Sequence, residues 1–343
     1  MNYWIVILIK IKNKEIKKKM KKKEIRIIAA SGKLNMSEDD IKYIKSKLNK
    51  YTITFGKNIN NSSEYDCPSI NERKEDLEEA FKDKSVDIVM IARGGFFSNQ
   101  LLDIIDYEIM KNNPKIIIGF SDATTLLNAI YNQTGLKTYY GPNFSVLAMK
   151  KGNEYTYEYL DKIFKGEKRY FIEPSLYWSS DKWYKEQNNR QFIKNEGMDV
   201  INNGEAEGII MGGNLNSFSL LQGTKYMPCP KQIILFIEED NWAKEDYLYE
   251  FDRRLQSITQ QDFFKNVKGI IIGKAQENVN MTLEKWKLLI SMNRKLKDIP
   301  IIVNANFGHT MPIATFPIGG KCIMKAKNKN IEIEIINDSN NNL

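Results

Sequence analysis

From residue 24 onward, unbroken apolar runs alternate with stretches whose apolar positions recur every three or four residues. Ile25–Ala30, Tyr51–Phe55, Val86–Ala92 and Lys115–Phe120 predict strands buried on both faces, with Thr138–Tyr140 a shorter fifth. Between them, Ser37-Glu-Asp-Asp40 predicts a cap leading into Ile41, Ile44 and Leu48, which share one helix face. Asn71–Lys82 repeats the theme with Leu77, Ala80 and Phe81, and Asn99–Met110 with Leu101, Leu102, Ile105 and Ile109. Asp122–Gln133 carries Leu126, Leu127 and Ile130, with Gly135 just beyond its end. Strands alternating with helices imply right-handed crossovers and a doubly wound parallel sheet of the flavodoxin type. In such sheets ligands bind beyond the carboxyl ends of the strands.

Asn143–Gly204 breaks this rhythm. It is rich in Tyr, Trp, Lys, Glu and Asn, weakly periodic, and contains Tyr177-Trp178-Ser-Ser-Asp-Lys-Trp183-Tyr184, so it reads as a connector with an elaborated loop. Regular pattern returns with strand-like Gly208–Met211, Ile233–Ile237, Gly269–Ile272 and Pro300–Val303, helical Lys244–Ile258 and Leu283–Leu296, and a hairpin over Gly320–Ile336. The expected organisation is a basic extension (1–23), an α/β domain (24–145), the connector and aromatic loop (146–204), a mixed α/β domain with antiparallel elements (205–336) and a disordered tail (337–343).

Composition changes this picture little. Hydrophobic content of 42% and charge of 27% are those of a globular protein. The net charge of +8 comes largely from Lys10–Lys23, where nine lysines fill fourteen positions. Elsewhere acidic and basic residues are interspersed, which argues against nucleic acid as a partner. Cys67, Cys229 and Cys322 are few and scattered, which fits a reducing compartment and gives neither a disulfide framework nor a zinc pattern. No metal site or other cofactor is expected. The apolar stretch Tyr3–Ile9 is too short to cross a bilayer and precedes the lysines, so it makes a poor signal peptide. A cytoplasmic protein without a membrane partner is expected.

The chemistry gathers at strand ends. His309, the only histidine, lies in Val303-Asn-Ala-Asn-Phe-Gly-His-Thr-Met-Pro312, just past an apolar run. Ser121 falls between the strand ending at Phe120 and the helix opening at Asp122. Gly119-Phe-Ser-Asp-Ala123 is an imperfect nucleophile elbow, because Ala123 stands where a second glycine is usual. An ordinary serine N-cap accounts for Ser121 equally well. Arg93-Gly94-Gly95 closes the preceding strand, where two glycines allow a tight turn with free N–H groups; a plain turn is the alternative. Glu238-Glu239-Asp240 ends another strand and could orient His309, or could be solvated carboxylates. Gly212-Gly-Asn-Leu215 is a further glycine turn with Asn214 a candidate substrate contact.

In this order, Arg93-Gly-Gly, Gly119-Phe-Ser-Asp, Glu205-Ala-Glu-Gly-Ile-Ile-Met-Gly-Gly-Asn-Leu215, Leu235-Phe-Ile-Glu238, Asp252-Arg-Arg-Leu255 and Asn306-Phe-Gly-His309-Thr310 resemble the LD-carboxypeptidase family of serine peptidases. That family includes murein tetrapeptide carboxypeptidases and microcin C immunity peptidases, and the resemblance spans residues 24 to 336. It implies Ser121 as nucleophile, His309 as general base and Glu238 as the residue orienting it. It also implies an oxyanion hole from the N–H groups of Gly95 and Asp122. Strand alternation sends Glu239 to the other face, which favours Glu238.

The branches differ in leaving group. Muropeptide enzymes release a terminal D-amino acid, whereas immunity-type enzymes release a nucleotide mimic from a peptidyl or aminoacyl unit. Trp178, Trp183 and Tyr184 are candidates to stack on a base, and Arg93 to meet a substrate carboxylate. The long aromatic segment favours the immunity-type branch, although the same aromatics could simply pack the connector. A homodimer acting on a small peptide or peptidyl-nucleotide is expected. A catalytically dead binding module would have lost a triad member, and a glutamine-amidotransferase-like enzyme would need a cysteine at the elbow.

Overall fold

Strands apolar at every position need cover on both faces, and the first half of the chain supplies it. The computed structural model describes residues 22–328 and 330–338. Residues 1–21 of the expected basic extension and 339–343 of the tail lie outside them. Strands β1 (Glu24–Ile28), β2 (Thr52–Phe55), β3 (Val86–Ile91), β4 (Ile116–Gly119) and β5 (Thr138–Tyr140) run parallel in the order 2-1-3-4-5, the flavodoxin-like winding expected. Helices α1 (Glu38–Lys47), α2 (Ile70–Lys82), α3 (Tyr107–Asn112) and α4 (Ala123–Thr134) connect them. Ser37 caps α1, a Ser69–Glu72 capping box opens α2, and Gly135 closes α4 in the left-handed conformation.

The expected helix over Asn99–Met110 is instead two pieces, a 3₁₀ turn (Ser98–Leu101) and α3. The Asp106 carboxylate accepts from the Glu108 N–H and starts a new helix there. The segment read as connector and loop holds more structure than its composition suggested. It contains α5 (Glu154–Lys165), β6 (Arg169–Phe171), a ribbon of β7 (Tyr177–Trp178) with β8 (Ile193–Lys194), and β9 (Asp199–Asn202).

β6 and β9 form the two edges of an eight-stranded sheet, ordered 6-16-15-10-11-12-13-9. Its centre, β10 (Gly204–Asn214), β11 (Ile233–Glu238), β12 (Val267–Gly273) and β13 (Ile301–Ala305), is parallel. The hairpin β15 (Lys321–Lys327) and β16 (Asn330–Ile336) adds antiparallel strands, and α6 (Leu215–Ser219), α7 (Tyr247–Thr259) and α8 (Leu283–Met292) pack around it. Among the described residues, no helix is long and apolar enough to cross a membrane.

Two features join the sheets. β14 (Phe316–Ile318), from the C-terminal half, pairs antiparallel with β5 in the first sheet. Helix α4, buried over most of its surface, hydrogen-bonds to the second sheet: Thr124 Oγ1 accepts from Asn214 N–H (3.0 Å), and Asn128 Nδ2 donates to the Gly212 carbonyl (2.8 Å). Asn214 is in register with Glu238. The helix that starts just past Ser121 is therefore tied to the strand pair that carries Glu238.

Candidate active site

Loops from the carboxyl ends of strands in both sheets meet at a cleft of about 450 Å³, lined among others by Ser121, His309, Arg93, Gly94 and Gly95. Ser121 has a φ of 62°. The left-handed conformation costs a non-glycine residue about 1–2 kcal/mol, so its neighbours must hold it. Asn143 does so, accepting from the Phe120 N–H (3.0 Å) and donating back to the Phe120 carbonyl (3.4 Å). Gly94 packs against the turn: a Cβ there would lie 3.2 Å from Ser121 Cβ and 3.3 Å from Oγ. The result is a sharp strand-to-helix turn presenting Oγ to the cleft.

His309 Nε2 lies 3.0 Å from Ser121 Oγ, and its Nδ1 lies 2.8 Å from Glu238 Oε2. A carboxylate only accepts, so in the neutral imidazole Nδ1 carries the proton and Nε2 presents its lone pair to the serine. Close approach is possible because residue 308 is glycine at φ 96°, where a Cβ would collide with the Glu238 carboxyl group. Tyr140 donates to the other oxygen, Oε1, at 2.7 Å. Behind Glu238, Tyr140, Phe236, Phe307 and Phe316 form an aromatic cluster drawn from both sheets, with centroids 4.9–6.4 Å apart.

Burial alone would lower the His309 pKa, but the adjacent Glu238 carboxylate outweighs it and the pKa is raised, to about 9. Burial also opposes ionisation of Glu238. His309 and Tyr140 more than offset it, so the Glu238 pKa is lowered. Glu239 faces the opposite way, accepting from Asn214 Nδ2 and its neighbour's N–H (both 3.1 Å). Its own burial, then the charges of Glu238 and Asp240, raise its pKa to about 7. Two adjacent carboxylates thus occupy different environments, and only Glu238 reaches the imidazole.

Gly95 lines the same cleft as Ser121, and Asp122 follows Ser121 in the chain; among the described residues their N–H groups have no acceptor. Arg93 stands at the rim, 3.9 Å from Asp66. Trp183 and Tyr184 line the cleft. Their segment is held to the His309 loop by paired bonds between Ser179 and Met311 (2.7 and 2.8 Å), and internally by the buried Arg190 on Asp181 (2.8 Å). Trp178 does not line the cleft and lies under the Lys274 ammonium, 5.2 Å from its ring. Asn214 is buried instead of facing the cleft, because its side chain caps α6 and holds Glu239. Among the described residues, no cluster of three His, Cys, Asp or Glu is placed to hold a metal ion.

Tyr140 and Asn143 are the site residues that sequence reasoning missed. Both sit at or just past the end of β5, the position that singled out Ser121 and Arg93. That positional signal was available for them too.

A serine hydroxyl aligned with an imidazole, itself aligned with a buried carboxylate, is the geometry of serine hydrolases. The chain belongs to the LD-carboxypeptidase family: residues 25–141 match the family's N-terminal domain and residues 207–324 its C-terminal domain. It is a serine peptidase. It is 44% identical over 306 residues to YocD of Bacillus subtilis (strain 168), a carboxypeptidase by name, covering 88% of this chain and 93% of YocD. A crystal structure of an MccF-like protein from Bacillus anthracis str. Ames superposes with a TM-score of 0.90 at 43% identity, covering 93% of this chain and 98% of that one. The microcin C7 self-immunity protein MccF of Escherichia coli is 29% identical over 305 residues, covering 82% of this chain and 84% of MccF. MccF has been solved in complex with glutamyl sulfamoyl guanosine, a structure that matches at a TM-score of 0.81 and 26% identity over 93% of this chain and 97% of that one.

Proposed function

We propose that this peptidase cleaves the bond joining a peptidyl or aminoacyl unit to a nucleotide mimic, as a microcin C immunity enzyme does. The observation that carries the reading is that Trp183 and Tyr184 wall the same cleft as Ser121 and His309. Aromatic faces beside the reacting serine suit a leaving group that ends in a base, where stacking contributes about 1–3 kcal/mol. MccF bound to glutamyl sulfamoyl guanosine supports the same substrate class.

In this reading Ser121 Oγ attacks the acyl carbonyl carbon while His309 Nε2 takes its proton, and Glu238 steadies the resulting imidazolium. The developing oxyanion accepts from the N–H groups of Gly95 and Asp122. Collapse breaks the bond to the leaving nitrogen, to which His309 returns the proton, and water then releases the acyl group from Ser121 by the same base. Arg93 meets a substrate carboxylate at the rim. Residues 24–145 act as the nucleophile domain and 205–336 as the domain carrying base and carboxylate.

The same reading makes the enzyme a cytoplasmic homodimer. Three free cysteines among the described residues suit a reducing compartment. A groove of about 960 Å³ beside α5, rimmed by exposed Phe171, Leu176, Tyr177 and Phe192, offers an apolar face for a second copy.

The test is a side-by-side mass-spectrometric hydrolysis assay with an aminoacyl sulfamoyl adenosine and an LD-muropeptide. Cleavage of the nucleotide conjugate alone is expected. Cleavage of the muropeptide alone would make this a cell-wall carboxypeptidase and reduce Trp183 and Tyr184 to packing.

A further inference from the structure

An aspartate at a helix N-cap ordinarily accepts from an N–H of its own first turn. Asp122 occupies the N-cap of α4 and makes no such bond. Its buried carboxylate reaches across to the loop after β3, where Oδ2 accepts from the N–H groups of Phe97 (3.0 Å) and Ser98 (2.8 Å). Ser98 Oγ closes the link by donating to the Asp122 carbonyl at 2.5 Å. A third donor, Ser31 Oγ from the loop after β1, meets the same Oδ2 at 2.5 Å. Ser31 is fully buried and abuts Gly95 so closely that a Cβ on Gly95 would collide with its hydroxyl.

The far side of the loop is gripped as well. Arg73, buried and without a carboxylate hydrogen-bond partner among the described residues, donates to the carbonyls of Phe97 (2.8 Å), Ala30 (3.3 Å) and Pro68 (3.0 Å). Both backbone polar groups of Phe97 are thus engaged, one by the anion and one by the cation.

We infer that the Asp122 side chain is a positioning residue that fixes the Gly95 N–H relative to the Asp122 N–H, so that both donors converge on the oxyanion. The inference rests on Ser121 being the nucleophile. The two donors come from separate loops, and the Asp122 carboxylate ties those loops together through Ser31 Oγ and the N–H groups of Phe97 and Ser98. A donor displaced by about 1 Å costs on the order of 100-fold in rate, and a missing one about 100- to 1000-fold.

A small alkyl fluorophosphonate reads this geometry whatever the natural substrate. Its phosphorus forms a bond to Ser121 Oγ, fluoride leaves, His309 takes the serine proton, and the phosphoryl oxygen must enter the same donor pair. Labelling followed by intact mass should slow about 100-fold in Asp122→Ala. It should slow less than about 10-fold in Asp122→Asn, whose amide oxygen still accepts from both N–H groups. Ser31→Ala should fall between wild type and Asp122→Ala. In turnover the loss should appear in kcat, with KM within about threefold, as expected for an interaction made only in the transition state. Equal labelling of wild type and Asp122→Ala would overturn the clamp alone. So would an Asp122→Asn variant as slow as Asp122→Ala, or a loss carried wholly by KM. If Asp122→Ala does not fold, Ser31→Ala labelling at the wild-type rate overturns the clamp. A wild type that takes no label at Ser121 overturns the nucleophile assignment and the clamp with it.

Discussion

The two sheets bring different things to the cleft. The parallel sheet of the first half supplies geometry: a serine held at positive φ, N–H groups on two loops that are free among the described residues, and buried polar side chains that lock those loops together. The mixed sheet of the second half supplies an imidazole backed by a carboxylate whose pKa values move apart, the pair that handles protons in the proposed mechanism. Tyr140 crosses between them, standing on the first sheet and bonding to the carboxylate of the second. A nucleophile can be positioned by neutral hydrogen bonds, whereas a base must be tuned by charge and burial. The interface lets each sheet do one task.

Removing the point where both meet should have the largest effect. Ser121→Ala is expected to lower kcat by about 10⁴–10⁶-fold while the protein stays folded, measured by turnover and far-UV dichroism. It leaves the left-handed backbone at position 121 unrelieved, since alanine meets the same cost there.

Breaking the second sheet's contribution should be nearly as severe and shows a separate signature. Glu238→Gln should lower kcat by about 10³–10⁴-fold, because the amide no longer fixes the imidazole tautomer. It should also move the pH profile. In wild type, activity should rise as His309 loses its proton through a pKa raised above the ordinary histidine range, to about 9. Without the Glu238 carboxylate, burial lowers that pKa against only the weaker pull of Asp240 and Glu239, so the limb should shift toward acid. A limb that does not move would mean that Glu238 acts by shape and not by charge.

The walls of the cleft should matter less, and for binding. Trp183→Ala is expected to raise KM for a nucleotide conjugate about 5- to 150-fold with kcat little changed. Trp178→Ala, outside the cleft, should change KM less than about twofold. Equal effects would place recognition somewhere other than the Trp183 face. Tyr140→Phe leaves one Glu238 oxygen without its donor. It should cost about 10-fold in kcat and about 1.5–3 kcal/mol in stability, read by denaturant unfolding.

Much of this was legible in the sequence, and the failures have physical causes. Strands buried on both faces write themselves as unbroken apolar runs, so β1, β3, β4 and β11 are found within a residue or two. Caps are local, so Ser37 and Gly135 mark their helix ends correctly. Ser121, Glu238 and His309 stand out because strand ends are where a doubly wound sheet presents side chains. Helix α5 was missed although Tyr159, Leu160, Ile163 and Phe164 have helical spacing, because its tyrosines and charges blur the apolar stripe. β14 carries no local signal, since pairing with β5 lies 176 or more residues away in sequence, from Phe316 to Tyr140. Asp122 illustrates the same limit. Its place at a helix start was readable, but the bond to Ser31 spans 91 residues and only the fold brings them together. Asn214 looked like a ligand contact because it follows two glycines, yet its side chain is occupied within the fold.

The most direct test of the account is rapid-quench mass spectrometry of the protein mixed with an aminoacyl sulfamoyl adenosine or an LD-muropeptide. The predicted result is an acyl adduct on the peptide containing Ser121, formed and lost at rates consistent with turnover and absent from Ser121→Ala. Turnover without any adduct at Ser121, or undiminished turnover by Ser121→Ala, would contradict it.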